Sequence, residues 1–274
     1  MSELATLDRD ALESIAALCL RAIADSPTAH ELELALFAPE QPATIRGNPS
    51  VGVVATVTSD AKAHIRLLVV DPSERGKGHG HALLEAAEAD ARANGHTSLT
   101  TGADAPFYLW PGVPSTEIGL LCLLERHHYS RVETNFDMRV DLATLPDDPG
   151  GHALATADER HEVGEWFATH WSNWRSEGLR ALDRGNLVLC RDDAGISAIC
   201  AFEVNRAGFL GPVAVRPNVM GQGRGQPALI GALHELRRRG RDHTDVCWVG
   251  PIPPYAGVGG TVSNVYFVYR RELK

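Results

Sequence analysis

No run of about 18 apolar residues occurs in the 274-residue chain, so no segment reads as a membrane-spanning helix. Positive charge is also scarce. Against 35 aspartates and glutamates stand 26 lysines and arginines, a formal net charge of −9, whereas a dedicated nucleic-acid binder needs a basic face to neutralise phosphates. Any anionic ligand must therefore be met by a local feature. The five cysteines (Cys19, Cys122, Cys190, Cys200, Cys247) are odd in number and scattered, mostly in apolar runs such as GLLCLLE and AICAF. That usage predicts buried free thiols in a reducing cytoplasm, not a disulfide framework. Twelve histidines are present, but HExxH and CxxC are absent and His127 and His128 are adjacent, so no metal site is expected. The first residues carry no basic stretch ahead of their apolar positions, and their leucines and isoleucines recur at helical spacing. An amphipathic helix is predicted there, not a signal peptide.

What the chain does have is a repeat. Val70, Pro72, Gly76, Gly78 and Gly80 recur as Val215, Pro217, Gly221, Gly223 and Gly225 at a constant offset of 145, which continues through Leu84 and Leu229 to Gly95 and Gly240. A loop, a helix and a terminating glycine repeated together indicate two copies of one domain. Between them ATLPDDPGGH (143–152) has linker composition, which places the domains at 1–145 and 146–274. Each copy reads as a meander of short apolar strands, a glycine loop, an amphipathic helix and further strands. SVGVVATV and AHIRLLVV flank a turn at Ser59 and Asp60 in the first, and FDMRVDL and NVYFVYR are read as the closing strands of the two copies. Pro227 is placed in the first turn of its helix, and Gly95 and Gly240 as C-terminal caps. The class is α/β, with a central mixed sheet flanked by helices in each domain.

A strand that runs through G-x-G-x-G into a helix aims backbone N–H groups and the helix dipole at one point outside the sheet, which suits a phosphate or diphosphate. The alternative is a plain tight strand-to-helix turn; duplication of the spacing beside Arg75, Lys77 and Arg224 favours the anion site. The chain contains no GxxxxGK[ST], and Leu83 stands where GxGxxG would need its last glycine.

The string Arg75-Gly76-Lys77-Gly78-His79-Gly80, after V-x-P and before an amphipathic helix, resembles motif A ([RQ]-x-x-G-x-[GA]) of the GNAT superfamily of acyl-CoA-dependent N-acyltransferases. The second copy departs from it at Met220. The two-copy arrangement is similar to that of tandem members, mycothiol synthases among them. The resemblance implies two GNAT domains, acetyl-CoA or another acyl-CoA as cofactor, and direct transfer to an amine, most simply of a small molecule. Alternatives are a non-catalytic acyl-CoA-binding or regulatory protein and a protein or peptide N-acetyltransferase. The acidic balance and the lack of a long apolar run point to no nucleic-acid or membrane partner, and monomer and homodimer stay open.

The cofactor-binding residues it implies are Leu68, Val70, Arg75, Gly76, Lys77, Gly78, His79, Gly80 and His81 in the first copy. In the second they are Val213, Val215, Gly221, Gly223, Arg224, Gly225 and Gln226. Many members protonate the leaving thiolate with a tyrosine from Y-x-x-x-G. Tyr255 to Gly259 fits that string, whereas Leu124 stands at the tyrosine position of the first copy. The second copy is accordingly expected to carry the reaction, with Tyr255 as acid; a partly buried loop tyrosine is the alternative. A base often stands on the strand before the loop, at His64 or Arg66 in the first copy. In the second those positions are Phe209 and Gly211, so the candidates there are Glu203 on the preceding strand or His161, Glu165 and His170 from the opening helix, with a chain of waters as a further alternative. Three of the five tryptophans, Trp166, Trp171 and Trp174, fall close together beside His170. They are candidates for lining an acceptor pocket, or for packing a helix on its sheet. A second aromatic loop, FYLWPGVPST (107–116), is expected near the thioester end.

Overall fold

The computed structural model of the chain describes residues 4–59 and 62–273. The chain forms two compact units: residues up to Asn135 together with those from Val265 make unit 1, and Phe136–Asn264 make unit 2. The single cut after residue 145 is thereby corrected. The chain's last strand runs back into unit 1, and the strand expected to close the first copy belongs, from Phe136, to unit 2. Asp60, placed in a turn by the sequence, lies outside the described residues.

Unit 1 begins with β1 (Thr6–Leu7), α1 (Leu12–Ala22) and α2 (Ala29–Phe37), then β2 (Thr44–Asn48), β3 (Gly52–Ser59) and β4 (Lys62–Val70). It continues through α3 (His79–Ala93), β5 (Ser98–Thr101), β6 (Val113–Pro114) and α4 (Ile118–Arg126) into β7 (Ser130–Asp141). Strands β1 to β4 pair antiparallel, β4 and β5 pair parallel across α3, and β5 pairs antiparallel with the final residues of β13 (Thr261–Glu272), as Thr100 with Arg270. Apolar side chains fill both faces of the sheet. On one face α1 and α2 bury Ile15, Leu18 and Leu32 against Val53, Ala55, Leu67 and Val69. On the other, α3 buries Leu83, Leu84, Ala87 and Ala91 against Val54, Ala63 and Ile65. α2 starts at a capping box in which Thr28 and Glu31 satisfy each other's backbone N–H.

One residue changes the phase of β4. Ala55 faces Leu67 but Thr56 faces Ile65, so Arg66 is the extra residue of a β-bulge. Ala63 and Ile65 before it, and Leu68 and Val70 after it, all pack toward α3, while Leu67 and Val69 pack toward α1 and α2. Simple alternation along the strand would not allow this.

Unit 2 repeats the plan with β8 (His152–Leu154), α5 (Arg160–His170), α6 (Arg175–Asp183), β9 (Leu187–Asp192), β10 (Gly195–Phe202), β11 (Phe209–Val215), α7 (Gly225–Arg238), β12 (His243–Val246) and α8 (Ile252–Ala256). Its sheet runs β8, β9, β10, β11, β12 and then the Phe136–Asp141 part of β7, paired as Thr244 with Val140. Here too the register slips: Cys200 faces Val213 and Phe202 faces Leu210. The irregularity spans Gly211 and Pro212, and Gly211 is the repeat equivalent of Arg66. Pro227 lies in the first turn of α7, and Gly95 (φ +80°) and Gly240 (φ +83°) follow the two main helices in left-handed conformation, as their spacing predicted.

Candidate functional site

The first glycine loop is built from short-range rules. Pro72–Glu74 forms a 3-10 turn closed by Asp71, whose carboxylate accepts from the Ser73 N–H at 3.0 Å. Gly76 (φ +77°) and Gly78 (φ +88°) then take conformations that a Cβ would strain. A Cβ at either would meet nothing within 4 Å, so these two glycines serve backbone conformation and leave an open approach. Gly80 differs: a Cβ there would press on Leu123 at 3.1 Å, so its role is the close passage of α3 by α4. The second loop has the same backbone, with Gly221 and Gly223 both at φ +75°.

β4 and β5 pair only at His64 with Thr100 and Ile65 with Thr101, after which the strands part. A cleft of about 1100 Å³ opens where they separate, lined by β4 from Ile65 to Val70, by Gly76, Gly78 and His81 of the loop and α3, and by Leu120 and Leu123 of α4. Trp110, Gly112, Val113 and Pro114 line it as well, so the FYLWPGVPST loop does share a cleft with the glycines. Leu68, Val70, Arg75, Gly76, Gly78, Gly80 and His81 are all cleft residues. Lys77 and His79 stand beside them on the loop, both on the Glu74 carboxylate at 3.0 and 3.4 Å.

Arg75 ties the loop down. Its guanidinium donates to the carbonyl of Val70 at 3.3 Å and to that of Ala22, at the end of α1, at 2.9 Å. In unit 2 Met220 cannot donate, and the carbonyl of Val215, the equivalent of Val70, is taken instead by the indole N–H of Trp171 at 3.0 Å. Trp171 stacks on Trp174, with centroids 5.0 Å apart. Trp166 is buried, donates to the Ile196 carbonyl at 2.8 Å, and carries His170 edge-on. The pocket-lining expectation for Trp166, His170, Trp171 and Trp174 is thus corrected. These rings pack the opening helix of unit 2 on its sheet and cap a strand end.

One catalytic expectation, that for Glu203, is also corrected. The Glu203 carboxylate closes the turn after β10, accepting from Gly208 N–H at 2.9 Å and from Arg241 at 2.8 Å, with its own backbone at φ +49°. Tyr255 is 8% exposed and belongs to the apolar core of unit 2 with Val249 and Val258. Burial raises its phenol pKa well above the ordinary tyrosine value, so the group stays protonated. Leu124, at the same place in the repeat, is fully buried in unit 1.

His64 stands on β4 immediately before the cleft-lining run that begins at Ile65. Nδ1 lies 3.0 Å from the Gly102 carbonyl, so it carries the proton and leaves Nε2 with a lone pair. Burial lowers its pKa below the ordinary imidazole value, against the pull of the Asp104 carboxylate, so it is neutral at pH 7. By alternation with Ala63 and Ile65 it projects to the α1 and α2 side of the sheet, across from α3. Arg66, the other position considered for a base, is fully enclosed and cannot act as one. It donates to Asp104 and to the Ala35 carbonyl, anchoring the bulge to α2, and Lys62 lies 2.5 Å from the second Asp104 oxygen.

His127 was not anticipated as a cleft residue, because its partner His81 lies on another helix. Nδ1 of His81 is 2.6 Å from Nε2 of His127. The thiols follow expectation at Cys19, Cys190 and Cys200, which are buried, whereas Cys122 is exposed on α4 and Cys247 is intermediate. Among the described residues no cluster of three or more His, Cys, Asp or Glu side chains could hold a metal ion, and no helix is long and apolar enough to cross a membrane.

The segment that forms this cleft, residues 43–110, matches the sequence profile of the acetyltransferase (GNAT) domain. The chain carries a GNAT-type acetyltransferase domain. Solved structures extend the likeness of fold over both units. A tandem GNAT protein from the clavulanic acid biosynthesis pathway is 16% identical at a TM-score of 0.71, with 98% of each chain covered. A GCN5-related N-acetyltransferase from Sphaerobacter thermophilus is 20% identical at a TM-score of 0.70, covering 97% of this chain and 94% of its own. A GCN5-related glucosamine N-acetyltransferase region of a fungal multi-domain GH3 β-N-acetylglucosaminidase is 21% identical at a TM-score of 0.78; the match covers 98% of this chain but 38% of that one. At these identities the GNAT likeness of unit 2 is one of fold. Among curated proteins no sequence matches the chain.

Proposed function

We propose that the protein is an acetyl-CoA-dependent N-acetyltransferase whose GNAT cleft in unit 1 binds the cofactor and acetylates the amine of a small molecule. The observation that carries this reading is the cleft of about 1100 Å³ between the parted β4 and β5, bounded by the two positive-φ glycines, Gly76 and Gly78. There the Arg75 to His81 loop and the N-terminus of α3 would hold the diphosphate, and Leu68, Val70 and Trp110 would hold the acyl-bearing arm. The second loop, with Val213, Val215, Gly221, Gly223, Arg224, Gly225 and Gln226, keeps the backbone plan with Met220 at the Arg75 position, and unit 2 acts as a structural partner.

An amine arriving from the α1 and α2 face attacks the thioester carbonyl carbon. The C–S bond breaks, and the ammonium proton passes to Nε2 of His64. With a thiol as leaving group, of pKa about 8.5, departure as thiolate is feasible, and solvent supplies its proton where Leu124 replaces a tyrosine. The fold likeness to a glucosamine N-acetyltransferase region supports a small-molecule acceptor over a peptide. Turnover of acetyl-CoA against a panel of amino sugars, polyamines, amino acids and N-terminal peptides, read as free thiol released, tests the reading. CoA bound with no release on any acceptor would favour a non-catalytic CoA-binding protein instead.

A further inference from the structure

Two imidazoles meet at the mouth of the cleft, one from each helix that borders it. His81 stands in the first turn of α3 and His127 at the C-terminal end of α4, with ring centroids 4.5 Å apart and both rings lining the space bounded by Gly76 and Gly78. At 2.6 Å the two facing nitrogens share a single proton, one donating and the other accepting. A second proton placed between the rings would set donor against donor, so it goes instead to an outward-facing ring nitrogen, which leaves the shared bond intact and the pair positively charged at the mouth of the cleft.

The surrounding charges come from every element packed there. Glu85 approaches Nε2 of His81 at 3.3 Å. Glu88 of α3 and Arg271 of β13 act on His127 with opposite signs. Lys77 and His79 are held by Glu74, and Arg126 and His128 flank His127 in the chain. Burial first, and then the neighbouring His81, lower the His127 pKa below the ordinary imidazole value.

We infer that His81 and His127 form a proton-coupled clamp on the diphosphate of the cofactor, one ring from α3 and one from the end of α4, the pair taking up one proton as the anion binds. This rests on the reading of the unit 1 cleft as the CoA site. Its consequence is that CoA affinity falls as pH rises, each bound anion drawing a proton from solvent.

The test is titration calorimetry of the full chain with 3′-dephospho-CoA, which lacks the phosphomonoester that would itself titrate near neutrality. Buffers of different ionisation enthalpy, between about pH 6 and 8.5, report the protons taken up. Uptake approaching one proton per ligand is expected, with Kd weakening by up to about tenfold per pH unit on the alkaline side. His127→Gln, at a partly exposed helix end, is expected to remove the uptake and flatten the pH dependence; circular dichroism checks its fold. If that variant does not fold, His81→Gln gives the same comparison, and wild-type proton uptake decides the matter without either. Tight binding by wild type with no proton uptake, or uptake unchanged in the folded variants, overturns the clamp and leaves the cofactor reading standing. No binding at any pH by the folded wild type removes both.

Discussion

The indole N–H of Trp171 donates to the carbonyl of Val215 at 3.0 Å, and it stands where a guanidinium stands in the other half of the repeat. In unit 1 Arg75 reaches the Val70 carbonyl from the loop and holds the end of α1 as well. In unit 2 the loop offers Met220, and the donor comes from the end of α5. The same strand end is satisfied in both, but only the first loop carries an arginine at that position. Removing the indole donor in Trp171→Phe leaves a half-buried carbonyl short of a partner, at a cost of about 1–3 kcal/mol. Urea denaturation should show that loss, while the KM for acetyl-CoA stays within about twofold. A KM that rises with the stability loss would mean that unit 2 also holds cofactor.

Gly78→Glu addresses the first loop. The left-handed backbone there costs a side chain about 1–2 kcal/mol, and no atom obstructs the Cβ, so the fold should persist. A carboxylate facing the diphosphate should weaken acetyl-CoA binding by more than about tenfold. Gly223→Glu, its counterpart in unit 2, is expected to leave binding unchanged, at a stoichiometry of about one cofactor per chain. Equal losses in both variants would assign two working loops.

His64→Asn preserves the hydrogen bond to Gly102 and removes the lone pair that would take the proton. A fall in kcat of about a hundredfold is expected, with disappearance of the acidic limb of the rate profile. Because burial depresses the folded-state pKa, that limb lies below the ordinary imidazole value of about 6.5. The sign for stability follows. The unfolded chain binds this proton more readily, so the contribution is present above the unfolded pKa and is lost as pH falls through the folded one. A variant that retains the wild-type profile would exclude His64 as the base.

Tyr255→Phe separates the two halves chemically. A core phenol with a strongly raised pKa should be dispensable, with turnover within about twofold of wild type. A loss of an order of magnitude, together with a changed alkaline limb, would return the acid to unit 2.

Arg66→Met tests the anchor of the bulge. It leaves the buried Asp104 with Lys62 alone, and breaking such a pair costs about 3–5 kcal/mol, a large share of the stability of a typical domain. The urea midpoint should fall accordingly. The effect should be smaller in Arg66→Met combined with Asp104→Leu, which removes both charges and not one.

By itself the sequence determined what short-range physics controls. The period of 145, the positive-φ glycines of both loops, the capping glycines after the main helices and the buried faces of α3 and α7 all depend on neighbours a few residues away. So did the segment of the first copy that matches the GNAT domain. Only the tertiary structure decided which strand completes which sheet, because FDMRVDL and NVYFVYR have the same alternating pattern and would suit either unit. It also decided the roles of polar side chains whose partners are distant in sequence. Glu203 was claimed by Arg241, Trp171 by Val215, Arg66 by Asp104 and His81 by His127. A carboxylate or an imidazole has the same intrinsic chemistry wherever it stands in the chain, and burial and the nearest charge decide whether that chemistry is spent on holding the fold or left for a ligand.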